Sequence, residues 1–179
     1  MMLDGIRFHI KIHSWTKEYG ILRPISKIII HENYLNDSGV KGDVFSHDIA
    51  LIFVKEKIPK KNIIGLANRA ERVGESGKLT GFDEYKDLRD YSRFPVVLQE
   101  ANLTVLEDRL DDMPTVFTTS VRAGEANGGG PFVWEENGNP VLGGIYTGIA
   151  RLEGGIKRSM FIRIIDLKHW ITYQMKKIL

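Results

Sequence analysis

Short apolar segments rich in Ile, Val and Phe recur along this chain with Gly, Asn and Pro between them. A strand needs only a few residues alternating between two faces, whereas a helix needs a longer run spaced by three and four, so this punctuation points to an all-β barrel or sandwich. Residues 6–12 carry the two-residue period most clearly, with Ile6, Phe8, Ile10 and Ile12 alternating with Arg7, His9 and Lys11. Further strands are expected at 26–30, 51–54, 78–82, 96–106, 115–119, 131–134, 141–147 and 158–162.

Only the end of the chain changes period. Ile164, Leu167, Ile171, Met175 and Ile178 follow spacings of three and four, which predicts one apolar face of a C-terminal α-helix. Asp166 near its start and Lys176 and Lys177 near its end complement the helix dipole. Residues 74–81 and 83–95 are polar and read as a loop or a strap between two similar β units. The expected organisation is therefore 1–75 for the first unit, 76–162 for the second and 163–179 for the helix.

Composition narrows the function classes. Of 179 residues, 42% are hydrophobic, enough for a chain of this length to bury about two thirds of its unfolded surface. Apolar runs such as Ile28–Ile30 and 49–54 fall well short of the roughly 18 residues a membrane helix needs, so no membrane partner is expected. The first residues hold neither a basic nor an apolar leader region, and no secretion signal is expected in this chain. Without cysteine there are no disulfides or thiolate metal ligands, and no other metal-ligand spacing or cofactor motif is present. Twenty-five basic against 23 acidic residues leave +2, too balanced to suggest nucleic acid. The basic residues from Arg151 to Lys177 read as a solvated face near the C-terminal helix, with a surface for phosphate or an acidic partner as the alternative.

Several segments, in order, resemble the trypsin-like serine proteases. Residues 26–34, followed by His47-Asp48-Ile49-Ala50-Leu51-Ile52, are similar to that family's "IIxHPxY … DIALL" segment. Residues 77–82 resemble its "VxGWG" strand and 97–105 its "LQxxxLPVV" strand. Gly128-Gly129-Gly130-Pro131-Phe132-Val133 falls where the family has "GDSGGPLV", residues 141–148 are similar to "LVGIVSWG", and Phe161 to Ile164 with Trp170-Ile171 match its "VYTRV … WI" ending. The resemblance implies a double antiparallel β-barrel with the site between the barrels, the first barrel incomplete here, and a C-terminal helix. It implies no cofactor and relatives that are usually secreted or periplasmic. The lack of cysteine departs from animal members and hints at a bacterial origin.

Hydroxyl-mediated acyl transfer needs a nucleophile, a base, a carboxylate to hold the base, and donors for the oxyanion. By resemblance, Asp48 takes the triad carboxylate's position. The serine's position is occupied by Gly128 in an ungapped match, or by Ala126 if Gly124-Glu125-Ala126 stands for "GDS"; neither can attack a carbonyl. The family's base lies in a "TAAHC" segment that would precede this chain. His9, His13, His31, His47 and His169 are expected at edges or on the surface. Asn127 replaces the aspartate that in the family pairs with a new N-terminal ammonium, and it cannot form that buried pair. The residues expected to bind a ligand are Asn127, Gly128, Gly129, Tyr146, Thr147 and Gly148. The turn 128–130 offers backbone N–H groups to an anion or carbonyl, or is simply a tight turn needing positive φ. The residue at the floor of the specificity pocket is either Ser120 or Arg122.

A barrel short of its first strands exposes unpaired edges. A longer protein, a separate chain supplying those strands, or a rearranged first strand would each account for that. Three readings of function follow. The favoured one is an inactive protease homologue, binding a peptide or protein partner through its retained cleft. The others are a serine endopeptidase, a hydrolase of proteolysis, in truncated or nucleophile-substituted form, and a degenerate product without selected activity.

Overall fold

The computed structural model describes residues 2–3, 6–7, 9–12, 14, 16, 19–36, 45–82, 97–106, 110, 113–120, 123–124 and 127–178. Twelve strands and two helices run through them. In chain order these are β1 (Met2–Leu3), β2 (Ile6–Arg7), β3 (His9–Ile12), β4 (Ile21–Ile30), α1 (Glu32–Asn36), β5 (Ala50–Val54), β6 (Gly65–Leu66), β7 (Ser76–Gly81), β8 (Gln99–Thr104), β9 (Val116–Thr119), β10 (Pro131–Glu136), β11 (Asn139–Arg151), β12 (Lys157–Arg163) and α2 (Ile164–Lys176).

The expected strands appear with shifted ends. The run at 6–12 is divided into β2 and β3, with Phe8 outside the described residues. β4 begins five residues earlier than the apolar run, and β11 extends four residues beyond its expected end, because ladder partners rather than hydropathy set strand length. The loop-or-strap reading of 74–81 is corrected in favour of the strand expected at 78–82: Ser76–Gly81 is an interior strand, β7, paired with β8 on one side and β10 on the other. Its small residues pack instead of solvating, since Gly77 lies under the Phe132 ring and Leu79 is fully buried. Residues 83–95 lie outside the described set.

The larger sheet runs β8-β7-β10-β11-β12-β9, antiparallel throughout, with β6 added parallel to β11. It curls until its ends meet: Val105 bridges Thr119, Leu106 N–H donates to Thr118 O at 3.0 Å, and Ser120 N–H donates to Thr104 O at 2.9 Å. Closure satisfies backbone groups that an open edge would leave to solvent. Leu79, Leu103, Phe117, Phe132, Trp134, Tyr146 and Phe161 fill the interior. Phe132 and Trp134 point inward on alternate positions of β10, and Phe117 stacks on Phe161 with centroids 5.4 Å apart. At Gly143 a Cβ would fall 1.7 Å from Trp134 Cζ3, so the indole needs a glycine there.

The smaller sheet, β3-β4-β5, contributes Ile29 and Leu51, with Ile49 just before β5, to a second core shared with Ile162, Ile164, Leu167, Trp170 and Ile171. Each such side chain, once fully buried, contributes about 2 kcal/mol. The terminal helix forms as expected, but its buried face is Ile164, Leu167, Trp170 and Ile171, whereas Met175 and Ile178 are 45% and 39% exposed. The last turn is therefore only partly covered, while the first two turns carry the buried contacts. All-β architecture with a curled barrel and a short C-terminal helix is thus the fold of this chain.

Candidate functional site

Asp48 stands just before β5, where the turn at 45–47 delivers it to the seam between the two sheets. Asp48 N–H donates to Phe45 O at 3.4 Å, and Thr115 Oγ1 ties the same turn to the barrel by donating to Ser46 O at 3.3 Å. Ile49, 6% exposed, anchors the following residue in the shared core. The half-buried Asp48 carboxylate accepts a hydrogen bond from Thr147 Oγ1 at 2.8 Å, across 99 positions of sequence.

Thr147 can reach it because β11 is irregular there. Tyr146 faces Phe161 and Gly148 faces Met160, so Thr147 is one residue too many for the ladder. Such a bulge frees a side chain from the alternation and re-aims it. Alternation alone gave no sign of it.

The neighbouring residue of β11 carries the glycine turn. Gly129 N–H donates to Tyr146 O at 2.9 Å, and Tyr146 N–H donates to Gly130 O at 2.8 Å. Gly130 N–H closes the turn on Asn127 O at 2.8 Å, and Gly129 adopts φ 79°, a conformation that favours glycine. Two of the three N–H groups in the turn are thus committed internally. That of Gly128 is left without a backbone partner among the described residues, and Gly128 itself is exposed. Tyr146 is buried beneath, its hydroxyl donating to Ala123 O at 3.3 Å. Gly148 is half-buried beside Met160 and Phe45 with ordinary contact distances for a Cβ.

Asn127 is 4% exposed, and among the described residues neither its Oδ1 nor its Nδ2 has a hydrogen-bond partner. It lies tight against Gly81, where an added Cβ would sit 1.9 Å from Oδ1. A buried amide left unpaired costs about 1–3 kcal/mol. Ala126, Arg122 and His13 lie outside the described residues. Ser120 Oγ accepts from Thr104 N–H at 3.1 Å, at the barrel's closing seam.

The histidines correct one expectation. His169 is exposed and His47 half-buried, but His31 is only 6% exposed. Its ring lies 4.6 Å from those of both His47 and Trp170, and its Nδ1 accepts from Asn33 N–H at 3.2 Å. Trp170 Nε1 donates to Glu32 Oε2 at 2.8 Å, completing a polar clasp between α1 and α2. Burial, and then the neighbouring His47, hold His31 below the usual histidine range, against the opposing pull of Glu32. A helix two residues wide of the expected strand end hid this cluster from a reading based on hydropathy. Among the described residues, no group of three or more histidines and carboxylates is placed to hold a metal, and no helix is long and apolar enough to cross a membrane.

In comparison with curated proteins, none matches this sequence. The family model described as Trypsin, however, matches residues 6–171, spanning β2 through most of α2 and including Asp48, the glycine turn and Thr147. The chain belongs to the trypsin family.

Proposed function

We propose that this trypsin-family homologue binds a peptide or protein segment at the Asp48–Thr147 site and does not cleave it. The observation that carries the reading is the turn around Gly128. Tyr146 pins it next to Thr147, whose hydroxyl holds Asp48, and this proximity supports a binding site built about a residue with no side chain to attack with. In an analogous triad, loss of the nucleophile alone removes on the order of a million-fold in turnover. The N–H of Gly128, without a backbone partner among the described residues, suits a carbonyl oxygen, which favours binding over a purely degenerate product.

Fluorescently labelled casein peptides incubated with the protein test this reading. Binding by anisotropy is expected, without hydrolysis of quenched casein and without labelling by a fluorophosphonate. Gly148→Arg, which would set a bulky cation beside Thr147 with only ordinary contacts at its Cβ, should abolish binding. Hydrolysis or a fluorophosphonate adduct on the unaltered protein would instead establish a serine endopeptidase. Absence of both binding and hydrolysis would leave a product without activity.

A further inference from the structure

Residues 55–65, between β5 and the end of β6, are all exposed, yet they are held in a defined path. Lys55 N–H donates to Pro24 O at 3.0 Å, Asn62 N–H to Pro59 O at 2.9 Å, and Ile63 N–H to Lys60 O at 3.2 Å. This ledge carries four lysines, Lys55, Lys57, Lys60 and Lys61, none ion-paired to a carboxylate among the described residues. Its only acid, Glu56, is taken by Arg23 at 2.9 Å. Interleaved with the lysines are Ile58, Ile63 and Ile64, exposed by 36%, 64% and 40%.

A solvated loop has no use for three outward isoleucines so close together, since lone exposed apolar residues are ordinary and clusters are not. The shape narrows the ligand. Lys61, Ile63 and Ile64 form one wall of a cleft of about 470 Å³ whose other wall is Asn139, Pro140 and Val141 of β11. The parallel pairing of Gly65 with Val141 closes its base. A cleft that sets Ile63, Ile64, Pro140 and Val141 among Asn62, Asn139 and Lys61 can seat an apolar side chain and meet a carboxylate beside it.

We propose that this ledge is a docking surface for an acidic polypeptide segment whose carboxylates meet Lys57, Lys60 and Lys61 while an apolar side chain enters the slot beside Ile63 and Ile64. It is separate from the Asp48–Thr147 site and does not depend on the reading given for that site.

The test uses the whole chain and a short fluorescein-labelled peptide of alternating glutamate and leucine, followed by polarisation. Binding should weaken with added salt, and the triple reversal Lys57→Glu, Lys60→Glu, Lys61→Glu should weaken it about tenfold or more. Ile63→Ser should weaken it by a further few-fold, and Gly148→Arg should leave it unchanged. Circular dichroism checks that the exposed substitutions leave the fold intact. Binding indifferent to the triple reversal would overturn the proposal, as would equal binding of an all-glutamate peptide, since the slot would then have no part. Tighter retention on phosphatidylserine vesicles or on RNA than on the peptide would overturn the choice of a polypeptide partner.

Discussion

Removing the Thr147 hydroxyl tests whether Asp48 is held as the geometry places it. Thr147→Val keeps the shape of the bulged residue and deletes the 2.8 Å bond to the Asp48 carboxylate. Hydrogen bonds to charged groups are worth about 1.5–3 kcal/mol, and half-burial of this carboxylate places the value in the lower part of that range, about 2 kcal/mol. In a chain of this size each kcal/mol moves the midpoint by about 2–4 °C, so the melting temperature should fall by about 4–8 °C. Urea unfolding with an unchanged m-value would assign the loss to the native state. A double-mutant cycle with Asp48→Ala isolates the pair, and the two substitutions should be non-additive by about 1–2 kcal/mol. A loss under about 0.5 kcal/mol, or strict additivity, would refute the bond, and with it the idea that the bulge in β11 exists to reach across the seam.

Acid should loosen the clasp between α1 and α2. His31 is held below its ordinary range by burial and by His47, so the unfolded chain takes up its proton first; the stability it contributes is present above about pH 6.5 and is lost as pH falls below that value. Stability measured from pH 7 to pH 5 should therefore decline, and His31→Gln should flatten that slope; Glu75, held low by Arg69, adds a separate loss below about pH 4.5. Arg163→Ala should cost about 3–5 kcal/mol by chemical unfolding, because it strands the largely buried Glu71 that Arg163 Nε meets at 2.7 Å, while pairing Arg163→Met with Glu71→Leu should recover most of the loss. Gly143→Ala should lower stability by about 3 kcal/mol and perturb tryptophan fluorescence, since its methyl would occupy the space of the Trp134 ring.

Much of the fold was legible because strand and helix periods are local. Short apolar segments bounded by Gly, Asn and Pro marked strands such as β10, and spacings of three and four marked α2, without knowledge of what either packs against. Motif resemblance pointed to the family for the same reason, since ordered short segments survive in sequence, and the family model spans those segments. Where the reading stopped, a partner distant in sequence decided the outcome. Met175 and Ile178 continue the spacing of Ile171, yet Ile171 is buried and they are exposed. Nothing in His31-Glu32 announces that Trp170 will come to rest on that histidine.

By itself, then, the amino-acid sequence determined an all-β chain with one terminal helix, its membership in the trypsin family, and the absence of a hydroxyl at position 128. Only the tertiary structure decided that Thr147 leaves the ladder to hold Asp48, that Asn127 is buried with its amide unpaired among the described residues, and that the Lys55–Ile64 ledge faces a slot in β11. The reason is physical: periodicity is set by neighbours along the chain, whereas bulges, orphaned amides and clefts arise from the register in which distant strands meet.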